Sequence, residues 1–182
     1  MILLSVFIVF LILLLAGLFL LFDFYVVIIG HLKGAPYVPS SRKRVRKMIE
    51  LAELKPGEIV VDLGSGDGKI LIEAAKLGCF ATGLEINPFL VWFSRFRAAR
   101  NGLSGKIKIL RQDLNKYSLN EADVVFVYLW PETIDKLSAK FSRELKPESR
   151  LVSNAFSLSG IEPYKKEDNV FLYKSSILKT GN

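Results

Sequence analysis

A doubly wound α/β sheet preceded by one apolar helix is the architecture this 182-residue sequence predicts, on three observations. Residues 1–22, MILLSVFIVFLILLLAGLFLLF, carry no charge and one hydroxyl, Ser5. From residue 58 onward, apolar strand-like runs alternate with helix-like segments, the pattern of a sheet built from βαβ units. The first of those runs, VVDLGSGDG (60–68), ends in glycines spaced two apart, where a strand brings its backbone close to a ligand. The length suits one globular domain with an appendage.

As a helix, residues 1–22 would span roughly 33 Å, close to the hydrocarbon thickness of a bilayer. A signal peptide would show a basic first region, a shorter apolar stretch and a small-residue cleavage site, yet no lysine or arginine precedes Lys33. A buried core helix would carry polar residues on one face. A membrane span is therefore expected, with residues 1–29 as the anchor, because VVII at 26–29 can prolong it past Asp23. Basic residues follow on one side: Lys33, then Arg42, Lys43, Arg44, Arg46 and Lys47. The positive-inside rule places the following domain in the cytoplasm, on a single-pass protein. At that position residues 42–47 suit anionic headgroups, at on the order of 1 kcal/mol per charge. A solvated helix face is the plainer alternative. RNA binding is disfavoured despite the net charge of +7, since these cations are not interleaved with stacking aromatics.

Residues 30–41 read as a linker, with Pro36 and Pro39 flanking Tyr37, and residues 42–182 as the domain. Ser40 or Ser41 can cap a helix running to about Leu54, stopped by Pro56-Gly57, with Val45, Met48, Ile49 and Ala52 as its apolar stripe. Then follow a buried strand (58–64), a helix (67–78), a strand (79–86) and a helix (88–102) with proline in its first turn. Strands at 106–113 and 122–130, a helix at 131–145 and strands at 149–156 and 169–178 complete the series. Gly160 and Pro163 break residues 157–168, so a loop or hairpin is expected there.

Several chemistries lack their parts. Cys79 is the one cysteine and reads as a small core residue; His31 is the one histidine, at the membrane edge. A Ser-His-Asp triad, a zinc site or a Cys-His pair cannot be assembled in the domain.

The glycine loop is more specific. A dinucleotide fingerprint needs glycine at 69, where Lys69 stands, and a P-loop pattern is broken by Leu63 and Ile70. What remains is G-x-G-x-G (Gly64, Gly66, Gly68, with Ser65 between) preceded by Asp62. Glu85, at the end of the second strand, is placed to accept from both hydroxyls of a ribose. Asp113, at the end of the third, is placed to reach an adenine amino group. Acids for ribose and adenine without a phosphate grip describe an adenosyl ligand. Helix caps or surface acids would be the bland reading of any one of them.

This constellation resembles class I S-adenosylmethionine-dependent methyltransferases, which have a Rossmann-like sheet: VDLGSGDG is similar to their first motif, GLEINP to their second and RQD to their adenine-contacting acid. The resemblance covers roughly residues 40–178. It implies S-adenosyl-L-methionine as cofactor, with Asp62 and the Gly64–Gly68 backbone at the methionine part, Glu85 at the ribose and Asp113 at the adenine; Ile86 and Leu114 complete the cofactor set. A diverged aminopropyltransferase is the nearest alternative. The signature (Asn/Asp)-Pro-Pro-(Tyr/Phe) of enzymes methylating exocyclic amines of bases is absent, replaced by YLWPE (128–132).

The order of apolar anchor, PYVPS, basic helix, DLGSGDG and E-I-N-P more closely resembles the membrane-anchored protein-lysine methyltransferases that act on the adenine nucleotide translocase and on the c-ring protein of ATP synthase. Two departures are LN after Asp113, where an aromatic residue is expected, and YLWPE at the fourth strand. The resemblance implies an N-methyltransferase acting on a lysine of a membrane protein, with Tyr37, Trp130 and Glu132 as candidates for the acceptor pocket and Tyr128 and Asn154 behind them. Methylation of a lipid or quinone headgroup, and a non-catalytic adenosylmethionine-binding role, are the rival expectations.

Overall fold

The computed structural model describes residues 2–33 and 37–180. The chain divides into two compact units, Met1–Tyr37 and Val38–Asn182. In the first, α1 runs unbroken from Ile2 to Lys33. Its stretch Leu3–Phe22 is long and apolar enough to cross a bilayer. The helix continues beyond Asp23, because nothing in DFYVVIIGHLK breaks an α-helix even where polar residues interrupt its apolar surface.

The second unit is the doubly wound α/β fold that the sequence predicts. It contains α2 (Arg42–Ala52), β1 (Ile59–Leu63), α3 (Lys69–Lys76), β2 (Phe80–Glu85), α4 (Pro88–Arg100), β3 (Ile107–Arg111), β4 (Val124–Val127), α5 (Pro131–Glu144), β5 (Arg150–Asn154), β6 (Lys165–Glu167), β7 (Val170–Lys174) and α6 (Ser175–Thr180). The seven strands are ordered β3-β2-β1-β4-β5-β7-β6. β1 to β5 are parallel, and β7 and β6 add antiparallel at one edge. Strand order reverses between β1 and β4, which makes the carboxyl ends of these strands the switch point.

Local chemistry sets the elements. β1 and β4 are short apolar runs buried on both faces, as parallel strands covered by helices must be. Ser41 caps α2 by accepting from the Arg44 amide at 3.2 Å. The helix ends at Ala52 with Glu53 left-handed, three residues before Pro56 rather than at it. Asn87 caps α4 by accepting from the Phe89 amide at 2.9 Å, with Pro88 in the first turn. Two cores result. Met48 of α2, Leu71 of α3, and Val91 and Ala98 of α4 pack on one sheet face, with Val60, Phe126 and Val152. Ile134, Leu137 and Phe141 of α5 and Leu178 of α6 pack on the other, with Val61, Leu63 and Val125.

Two sequence expectations change in detail, and between a loop and a hairpin the structure selects the latter. Residues 157–168 contribute β6, so the segment is partly a hairpin arm. The strand expected over 169–178 stops at Lys174 and becomes α6, because the Ser175 amide donates to the Ser149 carbonyl at the strand's end and Leu178 turns into the core. Cys79 lies just before β2, fully buried, with Sγ 3.3 Å from the Lys55 carbonyl.

Candidate functional site

The glycine loop leaves β1 at the switch point and starts α3. Gly64, Gly66 and Gly68 all have positive φ, at 82, 52 and 74°. The loop is pinned to β2: the Gly64 and Ser65 amides both donate to the Leu84 carbonyl, at 3.0 and 2.9 Å. A Cβ at Gly68 would stand 2.9 Å from the Ser94 Cβ of α4, so this glycine lets α4 approach the loop. Gly83 of β2 does the same for the Ser65 side chain, whose oxygen would lie 2.6 Å from an added Cβ. The Ser65 hydroxyl is buried with no hydrogen-bond partner.

Asp62 lies in β1 opposite Gly83 of β2 and Phe126 of β4, and is 4% exposed. Burial pushes its carboxyl up to about 8, with the charges of Glu85 and Asp67 adding to the shift. Glu85, at the end of β2, accepts from the Gly66 amide at 3.0 Å and from the Asn87 amide at 2.8 Å, one to each oxygen. Burial raises its pKa too, while the amides of Asn87, Gly66 and Ile86 pull it back. Those amides fix the carboxylate plane and leave the remaining lone pairs for donors from a ligand.

The sequence reading missed Asp67. Arg97 of α4 donates to its carbonyl at 2.7 Å and pairs with its carboxylate at 2.7 Å, and Lys69 pairs with it at 3.2 Å. Lys69 also donates to the Ser40 carbonyl at 3.0 Å, tying the segment before α2 to the start of α3. Both cations nearest the loop are therefore engaged with protein oxygens, which fits a ligand gripped by acids and amides. Only proximity in space reveals this, since Arg97 stands thirty residues beyond Asp67.

The remaining candidates of the second unit follow the carboxyl ends of β2 to β5. Asp113 follows β3 and is exposed; one carboxylate oxygen accepts from the amide and side chain of Asn115, at 2.9 and 3.0 Å, and caps the short turn Leu114–Lys116. Ile86 is partly exposed beside Glu85. Trp130 caps α5 after β4, 46% exposed, with its ring 5.9 Å from that of Phe156. Glu132 is exposed in the first turn of α5, and Tyr128 half-buried. Asn154 ends β5, 2% exposed, with its side-chain oxygen lacking a partner. Tyr37 belongs to the N-terminal unit and is 43% exposed; the neighbouring Pro36 falls outside the described residues. No cluster of three or more metal-ligating side chains occurs among the described residues.

The donor set fits an adenosyl ligand with a cationic end. Glu85 and Asp113 stand at the ends of β2 and β3, the glycines keep the loop clear of Cβ atoms, and Asp62 is a buried acid whose raised pKa a ligand cation would lower.

Comparison with known proteins agrees with this geometry. The model of the family described as the ANTKMT methyltransferase domain matches residues 62–165. The human lysine N-methyltransferase named for the ATP synthase C protein is 38% identical over 121 residues, covering 66% of this chain and 52% of that protein. A protein-lysine N-methyltransferase of Saccharolobus islandicus is 36% identical over 154 residues, covering 79% of this chain and 96% of that one. The chain thus spans about half the length of the human relative and nearly all of the archaeal one. Among solved structures, an RNA methyltransferase from Salinibacter ruber in complex with S-adenosyl-L-homocysteine superposes with a TM-score of 0.74 at 33% identity, covering 75% of this chain and 93% of that one.

Proposed function

The chain belongs to the family of the ANTKMT methyltransferase domain, and from that membership we propose that it is a membrane-anchored enzyme methylating a lysine amine of a membrane protein from S-adenosyl-L-methionine. The observation that carries the reaction is the row Asp62, Glu85 and Asp113 at successive strand ends around the glycine loop. Lysine as acceptor is supported by what the human and archaeal relatives are named for.

When bound, the cofactor supplies a methyl group on a sulfonium, open to in-line attack. Asp62 holds the cofactor's ammonium in its ionised form, the Gly64–Gly68 backbone lies along the methionine part, Glu85 takes the ribose hydroxyls, and Asp113 the adenine amine between Ile86 and Leu114. The acceptor side falls to Trp130, Glu132 and Tyr37. A lysine amine must be neutral to attack, which costs roughly 4–5 kcal/mol at pH 7. An apolar aromatic pocket lowers that cost by disfavouring the ammonium.

The anchor is Leu3–Phe22 of α1, a single span. The basic flank from Lys33 through Lys47 supports a cytoplasmic domain. Of the cluster, Arg44 and Lys47 turn onto the β6–β7 hairpin, leaving Arg42, Lys43 and Arg46 exposed for anionic headgroups.

The test is a labelled transfer. Full-length protein, with Asp62→Ala as control, is incubated with methyl-labelled adenosylmethionine, host membranes and host RNA, and the label is partitioned. Methyl-lysine in acid-hydrolysed protein that disappears with Asp62→Ala is expected. Label in the organic extract would assign the reaction to a lipid or quinone, and label in RNA would extend to this chain the name that the Salinibacter protein carries.

A further inference from the structure

The outward face of α4 carries aromatic surface used neither by the core nor by the proposed reaction. Leu90, Val91, Ser94 and Ala98 turn inward. Trp92 and Phe96 turn outward, 60% and 49% exposed, with rings stacked at 6.0 Å and 13°. Phe89 and Phe93, stacked at 6.1 Å, continue the aromatic surface to the helix start. A soluble domain rarely leaves so much contiguous aromatic area in water. Cations frame it. Arg100 is exposed at the end of the helix, and Arg42, Lys43 and Arg46 are exposed on α2, which covers the same sheet face with α3 between. The chain enters this layer at its start, where Lys69 of α3 holds the Ser40 carbonyl.

We propose that the outer face of α4 docks on the membrane interface, with Trp92 and Phe96 seated at headgroup depth and Arg100 and the exposed α2 cations on anionic headgroups. The proposal rests on the reading of α1 as a membrane span. Given that span, covalent geometry names the occupant. Residues 23–33 add about 16 Å of helix beyond Phe22, and the chain from Lys33 to Val38 at most about 17 Å more. Every copy of the domain is therefore held beside a bilayer, whereas a protein partner must be met. Exposed tryptophan and phenylalanine with arginine at the helix end, and arginine and lysine further along the same layer, is also the composition that settles between headgroups and acyl chains. Docking there would set the height of the strand ends, and of the site they carry, above the bilayer.

The experiment uses full-length protein reconstituted into phosphatidylcholine–phosphatidylglycerol vesicles, with and without acyl chains brominated near the headgroup. Tryptophan emission is compared between wild type and Trp92→Phe, a change that keeps an aromatic ring and leaves Trp130 as the other emitter; circular dichroism checks that both are folded. Bromolipid is expected to quench wild type, and Trp92→Phe to lose most of the quenchable emission. Equal fractional quenching in the two proteins would overturn the docking. Flotation after an alkaline wash reads α1 independently. Protein that floats without Trp92 quenching sinks the docking alone, and protein that does not float sinks the anchor and the docking with it.

Discussion

With its carboxyl raised to about 8, Asp62 is largely protonated in the ligand-free protein at neutral pH, yet the proposed ligand needs it ionised. The folded form holds a proton that the unfolded chain, near pKa 3.8, releases. The stability tied to that proton is full below about pH 4 and lost as pH rises through about 8. Asp62→Asn should therefore melt higher than wild type, by a gap that widens between about pH 4 and about pH 8 and then levels off, reaching a few kcal/mol. The same variant should lose adenosylmethionine binding. Calorimetry in buffers of different ionisation enthalpy should show wild type releasing close to one proton on binding near pH 6–7. Binding without proton release would sink the role given to Asp62. Glycine geometry makes a second residue-scale expectation. Gly68→Ala combines a left-handed φ with a 2.9 Å approach to the Ser94 Cβ, whereas Gly102→Ala has only its φ of 69° against it, with open space around. Thermal melts should place Gly102→Ala about 1 kcal/mol down and Gly68→Ala about 1–3 kcal/mol below that. The positions of the three acids were legible in the sequence because Asp62 runs into the glycine loop and Glu85 and Asp113 stand at or just past the ends of strand-like runs. The Asp67–Arg97 pair was not, since it depends on how α4 is rotated against the loop, and neither was Gly83, which reads as an ordinary strand glycine.

The elements followed the sequence closely up to β5 and less well after it. Alternating parallel strands and helices leave period and punctuation marks, such as Asn87-Pro88 before α4 and Gly78 after α3. The edge hairpin leaves fewer. Asp168 and Asn169 both have positive φ, 48 and 59°, and join Glu167 directly to Val170 in a two-residue turn. Neither is glycine, so the strongest hairpin signal is missing. Past Lys174, SSIL carries no breaker and reads as a continuation of the strand, whereas the Ser175 amide's bond to the Ser149 carbonyl and the burial of Leu178 against the α5 side select a helix. Asn169→Gly should therefore stabilise the domain, by a few tenths to about 1 kcal/mol, because it removes the cost of φ at the second turn position. A melting temperature unchanged or lowered would mean that the Asn169 side chain supports the turn in a way its backbone does not reveal. The hairpin also braces α2, through Lys47 to Glu167 at 2.8 Å and Arg44 to the Asp168 carbonyl. The Lys47–Glu167 pair is only half-buried and screened by solvent, so its loss should lower the melting temperature little.

At the scale of the molecule, an apolar helix and a methyl-transfer domain on one chain make sense if the tether raises the rate. The sequence shows the helix by its composition and the domain by its glycine loop and strand–helix alternation; the distance between site and bilayer is written in no motif. Between Lys33 and Val38 stand four residues, so the membrane acceptor proposed above would meet the site at an effective concentration set by a short reach. Inserting ten Gly/Ser residues there leaves both units intact and lengthens the linker from four residues to about fourteen. Effective concentration falls roughly as the −3/2 power of length, so transfer to membrane-embedded lysine should fall about sixfold or more. Adenosylmethionine affinity and any transfer to a soluble lysine peptide should stay as they were, because neither depends on reach. The contrast between the two acceptors is the measurement. Equal losses on both would mean that the linker shapes the site itself, with Tyr37 as the first residue to suspect. No loss on either would mean that α1 serves to locate the enzyme and not to aim it.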